Sequence, residues 1–95
     1  MENNAVEIDK EHIKGLTFVR NEVLKNTEQI KKRREDLDLA TKLGNNYKGK
    51  IKLVFESVNG TMCVETTIWA ATEKYITLKG EVLIPIHCVH EVIIL

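Results

Sequence analysis

Serine occurs once in this chain, as Ser57, and it lies between Glu56 and Val58. No serine therefore stands in the strained, glycine-flanked elbow that an acyl-transfer nucleophile needs. Glycine is also sparse, with five residues that never fall into Gly-x-Gly-x-x-Gly or a phosphate-cradling loop. Proline occurs once, as Pro85, and tryptophan once, as Trp69. Neither sign of charge dominates: 14 Lys and Arg balance 14 Asp and Glu, and the balance holds in both halves. A neutral chain makes no broad field that would gather phosphate backbones non-specifically. No apolar run nears the roughly 18 residues of a membrane span. The opening MENNAVEIDKEH is acidic and polar, unlike a signal peptide. The expected setting is the cytoplasm, where the two cysteines, Cys63 and Cys88, stay reduced. With no catalytic constellation in view, we expect neither an enzyme nor a cofactor.

What is present divides into two zones, an N-terminal helical arm over 1–46 and a strand-rich part over 47–95, together expected to make one α+β domain. Residues 9–43 lack proline and are rich in Glu, Lys, Arg and Leu, with Asp9 placed to cap a helix. Gly44, in LGNN, is suited to the left-handed residue that ends one. Leu16, Val23, Ile30 and Leu37 recur every seven residues, with Val19 three positions after Leu16. That is a heptad seam, interrupted where Asn26 and Arg33 take apolar positions. A continuous helix here would run about 50 Å at 1.5 Å per residue, longer than the remaining domain. Part of the seam would then need a second chain to cover it, so a homo-oligomer through the helix, with a dimer favoured, is the expected partner arrangement. The alternative is a break near residue 26, where Asn26 or Thr27 would cap a second helix.

The second zone alternates. Asn59-Gly60 is a strong hairpin signal, because both residues tolerate positive φ. A two-residue turn there sets Phe55 opposite Val64 and Leu53 opposite Thr66, collecting Ile51, Leu53, Phe55, Met62, Val64 and Ile68 on one face. Lys50, Lys52, Glu56, Cys63, Glu65 and Trp69 share the other. Further strands are expected at Tyr75–Lys79, at Val82–Ile86 and from about His90, with Pro85 confining its strand to an edge or an end. Five short antiparallel strands predict a small closed barrel of the SH3 or Sm-like type, which leaves no exposed edges.

The segments VNGT, YITLK and IHCVHEV resemble successive pieces of the bacterial Sm-like RNA chaperones, whose last motif centres on a histidine entering the final strand. That resemblance puts His87 in the histidine's place, Val89 at the buried aliphatic, and uridine-rich RNA as the ligand. The lysine that precedes the histidine in that family is Ile86 here. The run VETT.WA.TEKY..LKG...IPI is also similar to that of short uncharacterised bacterial proteins with an N-terminal helix and a small barrel, a likeness that implies no activity.

Three stretches carry candidate chemistry. His87, Cys88 and His90 crowd into IPIHCVHEV; a continuous strand would send His87 and His90 to opposite faces, whereas a 3₁₀ turn at 86–89 would bring them side by side and bury Ile86, Val89 and Val92. A junction between strands is the expectation, without a metal. IKKRRE holds four consecutive cations, but helical residues fan out, and Glu35, Asp36 and Asp38 follow at once, as on a solvated face. Trp69 on the hairpin's polar face either packs under the helix or offers a stacking surface beside Lys50 and Lys52. The leading expectation is a non-catalytic interaction and oligomerisation module, with the seam Leu16, Val19, Val23, Ile30 and Leu37 as its interface. The alternative is an Sm-like binder of RNA or single strands that uses His87, Trp69, Lys50 and Lys52.

Overall fold

Helix α2, Thr27–Tyr47, is the longest element of the computed structural model, which describes residues 5–95. Residues 1–4, counted with the arm above, lie outside the described residues. The helix starts where Asn26 Oδ1 accepts from Glu28 N at 2.7 Å and from Gln29 N at 3.4 Å. This is the break foreseen near residue 26. Asn26→Ala removes the cap and is expected to cost about 1 kcal/mol, read as a few degrees lost from the thermal midpoint.

Upstream of Asn26 the expected long helix is corrected. Strand β1, Val6–Glu7, and a single turn, α1, Lys10–Ile13, precede an irregular strap over residues 14–26. The strap's backbone groups are engaged elsewhere: Val58 N donates to Thr17 O, Val23 N donates to His87 O, and Phe18 bridges Ser57. A helix would need those same groups for itself. The heptad seam is therefore divided. Leu16, Val19 and Val23 lie half-buried on the strap, while Ile30 and Leu37 lie on α2, Ile30 half-buried and Leu37 wholly buried.

The other end of α2 is also corrected. Gly44 is inside the helix, and Lys48, at φ 54°, takes the left-handed position. Lys48 N and Gly49 N close the last turn on Gly44 O and Leu43 O. Glycine at 44 serves close approach instead: a Cβ there would collide with Ile68 O.

Beyond α2 come β2 (Ile51–Ser57), β3 (Gly60–Thr66), β4 (Ile68–Ala71), β5 (Tyr75–Leu78), β6 (Val82–Pro85), a 3₁₀ turn (Ile86–Cys88) and β7 (Val89–Ile94). The hydrogen-bonded ladders form two sheets, β1-β3-β2-β7 and β4-β5-β6, and not a closed barrel. Among the described residues all ladder pairings are antiparallel except β1 with β3. The long second strand of the expected hairpin is broken at Thr67 into β3 and β4, which carries the chain from one sheet to the other.

The hairpin register slips by one pair. Phe55 faces Met62, Leu53 faces Val64 and Ile51 faces Thr66, so the turn residues are Val58 and Asn59. Ser57 draws the turn forward: its Oγ donates to Gly60 O and accepts from Asn59 N, while Gly60 takes φ 125°. Changing opposite partners by two positions preserves alternation, so the inward face survives.

Ile51, Leu53, Phe55, Val64, Ile68, Ile76, Leu78, Ile84 and Val89 form one buried cluster with Ile13, Leu37 and Ala40. The N-terminal segment and the strands thus share a single core, within extents of 33 × 31 × 24 Å. No helix among the described residues is long and apolar enough to cross a membrane.

Candidate functional site

The 3₁₀ turn over Ile86–Cys88 buries Ile86, Val89 and Val92, as three-residue spacing requires. It does not bring the two histidines together. His87 Nε2 donates to Val19 O at 2.8 Å, and Cys88 Sγ meets the same carbonyl at 3.2 Å. His90 turns instead to Glu56, with Nε2 2.9 Å from Oε1. A one-residue bulge opposite Val54 and Phe55 redirects it, because Val54 faces Glu91 while Phe55 faces Val89. Among the described residues no three His, Cys, Asp or Glu side chains are placed to share a metal ion.

Burial pushes the Cys88 thiol up to about 11, with the nearby Glu22 carboxylate adding to it. A thiol so protonated and enclosed is a poor nucleophile. Cys88 is therefore expected to resist a disulfide reagent at pH 8 in the native protein and to react only on unfolding. Labelling followed by mass spectrometry checks this; fast native labelling of Cys88 would refute it.

His90 and Thr61 line one side of a cleft of about 500 Å³ between the first half of α2 and β7, with Leu24, Val54 and Val92 as its apolar walls, and both hydrogen-bond to Glu56. Burial pushes the Glu56 carboxyl up, but hydrogen bonds from the Thr61 hydroxyl (2.6 Å) and from His90 outweigh it, leaving the group below its usual value. The carboxylate sits between hydroxyl and imidazole, so the imidazole does not draw a proton from Thr61. That order is structural rather than nucleophile-activating.

Behind this cleft lies a feature that charge counting missed. Arg33, expected on a solvated tract, is 6% exposed. Its guanidinium donates to both Glu22 carboxylate oxygens at 2.7 Å and to Val89 O at 2.9 Å. The hydrogen bond from Arg33 holds the Glu22 carboxyl below its ordinary value. The interruption of the heptad at 33 was the signal in the sequence, an arginine on the face that packs inward. The rest of IKKRRE fans out: Lys32 pairs with Asp36 at 2.6 Å, and Arg34 reaches Asp38 at 3.6 Å and two carbonyls of the 72–73 turn.

The four residues expected to bind a nucleic acid are dispersed. His87 Nε2 is taken by the strap, Lys52 pairs with Glu7 at 3.6 Å, Lys50 is exposed before β2, and Trp69 belongs to the other sheet. Trp69 is 44% exposed, in the bulge between Ile68 and Ala70. Beside it the outer face of β4-β5-β6 carries exposed Ala70, Tyr75 and Leu83, with Pro85 opposite Tyr75 and Leu83 opposite Thr77. This outward row alternates along the strands with the buried Ile76, Leu78 and Ile84. Searches against protein-family models, curated proteins and solved structures find no match to this chain.

Proposed function

We propose that this protein is a non-catalytic interaction module of the cytoplasm, which takes a protein partner on the outer face of β4-β5-β6. The observation that carries this reading is the apolar row there: Leu83 is 52% exposed, Tyr75 47% and Trp69 44%. Three large apolar side chains gathered on one small sheet, none of them needed for the core, are the composition of an interface centre. Its frame, in this proposal, is a two-sheet fold related to the SH3-like type, without closure into a barrel. The single residue between β3 and β4, the bond from Lys79 N to Thr67 O and the 3₁₀ turn leading into β7 support that relation between the two sheets.

The test is a photo-crosslinking residue at Tyr75 in the native host, with and without Leu83→Glu. Protein adducts that Leu83→Glu suppresses support the reading. Adducts unaffected by Leu83→Glu, or none, overturn it. The exposed Trp69 ring also favours a second reading, stacking of a base of single-stranded nucleic acid on that ring. RNA adducts lost in Trp69→Ala and in high salt would replace the first reading with the second.

A further inference from the structure

The cleft between α2 and β7 belongs to the four-stranded sheet, apart from the β4-β5-β6 face. Its volume of about 500 Å³ falls within the roughly 300–1,000 Å³ of small-molecule sites. Leu24, Val54 and Val92 give it apolar surface, and its polar wall is built on β3 and β7. Behind that wall Glu56 receives the Thr61 hydroxyl at 2.6 Å and His90 Nε2 at 2.9 Å. An ionised carboxylate only accepts, so the hydrogens of both neighbours are committed to it. Thr61 Oγ1 is left with its lone pairs. Neutral His90 is left with the lone pair of Nδ1, which has no partner among the described residues. Glu91, set beside Val54 by the β2-β7 register, is exposed and forms no ion pair among the described residues. On the α2 side the cations are already neutralised, Arg33 by Glu22 and Lys32 by Asp36.

We propose that this cleft binds a small amine with an apolar body, an alkyl- or arylammonium ion whose N–H groups are taken by Glu91, His90 Nδ1 and Thr61 Oγ1. An ammonium carries three donors, no acceptor and one positive charge. It therefore matches a wall whose uncommitted atoms are acceptors and whose carboxylates, Glu56 and Glu91, lack a cationic partner. An anionic ligand would meet the same lone pairs and the charge of Glu91. The hydrocarbon part of the amine lies against Leu24, Val54 and Val92, where leaving water favours it. The proposal stands on this cleft alone, so Leu83→Glu leaves it intact.

Phenethylamine is the probe and phenylacetate its anionic counterpart, each titrated into the isotope-labelled chain at about pH 8, above the ordinary imidazole range. Amide NMR signals report the binding. Saturable shifts at Val54, Thr61, His90 and Val92 are expected with the amine at about millimolar concentration, as suits so small a ligand. Phenylacetate is expected to produce none. Glu91→Gln is expected to weaken amine binding about fivefold, because a charge-assisted hydrogen bond becomes a neutral one. Glu65→Gln removes the same charge from an exposed position of β3 outside the cleft, and is expected to leave the affinity unchanged. The proposal is overturned by an amine that gives no saturable shift at those four residues, or by phenylacetate binding equally well. It is also overturned if Glu91→Gln binds as the wild type does, or if both variants lose the same affinity.

Discussion

Gly44→Ala is expected to destabilise the fold by several kcal/mol, at the upper end of single-substitution effects. Helix propensity alone argues the reverse, since alanine stabilises a helix interior by about 1 kcal/mol over glycine. The contact decides the sign. An added Cβ would collide with Ile68 O and lie 3.1 Å from Thr67 Cγ2, and the first of these is backbone. Side chains swing away from a clash; the carbonyl of a strand cannot, without breaking β4. The helix would have to lift from β4, taking with it the contacts of Leu37 and Ala40, both fully buried in the core. Urea denaturation of the variant measures the loss. A midpoint equal to or above wild type would show that α2 does not depend on this approach.

Glu22→Ala is expected to cost about 3 kcal/mol at neutral pH, because it leaves the charge of Arg33 buried with only Val89 O as partner. Arg33→Met should cost less. It removes the buried charge itself and leaves behind a carboxylate that is 34% exposed and open to water. An order of stability with Arg33→Met below Glu22→Ala would contradict this account of the clasp. The same pair predicts a pH dependence. Glu22 titrates below the ordinary 4.5 in the folded protein, chiefly through its hydrogen bond with Arg33. Its stabilising contribution is therefore complete above about pH 4.5 and falls away as acid passes through the lower, folded value. Glu56 is shifted in the same direction and loses its contribution in the same range. Glu22→Ala should consequently flatten the acid limb of stability without abolishing it, as denaturant midpoints at a series of pH values will show.

The strands were more legible than the helix, for a physical reason. A period of two is sensed residue by residue, so the alternation through Ile51, Leu53, Phe55 and Val64 foretold the buried face even though the turn moved from Asn59-Gly60 to Val58-Asn59. The heptad from Leu16 to Leu37 was equally regular, yet only its second half is helical. Asn26 offered a local stop, and the backbone from Thr17 to Val23 found better partners in Ser57, Val58 and His87, positions remote in sequence. Of the candidate sites, the 3₁₀ turn with its buried aliphatics was readable from spacing. The destination of His90 was not, because a bulge re-aimed it toward Glu56.

By itself, then, the sequence determined the α+β class, the inward faces of the hairpin strands and the tight turn before β7, and it offered a cap at Asn26 or Thr27 as the alternative to a continuous helix. Each follows from forces acting within a few residues, through periodicity, capping and the restriction at Pro85. Only the tertiary structure decided that residues 14–26 form a strap, that the ladders part into two sheets at Thr67, that Gly44 lies against a carbonyl, and that Arg33 is buried. Those outcomes depend on which distant group offers a donor, an acceptor or a carboxylate at the right place. Such pairings leave no period in the chain.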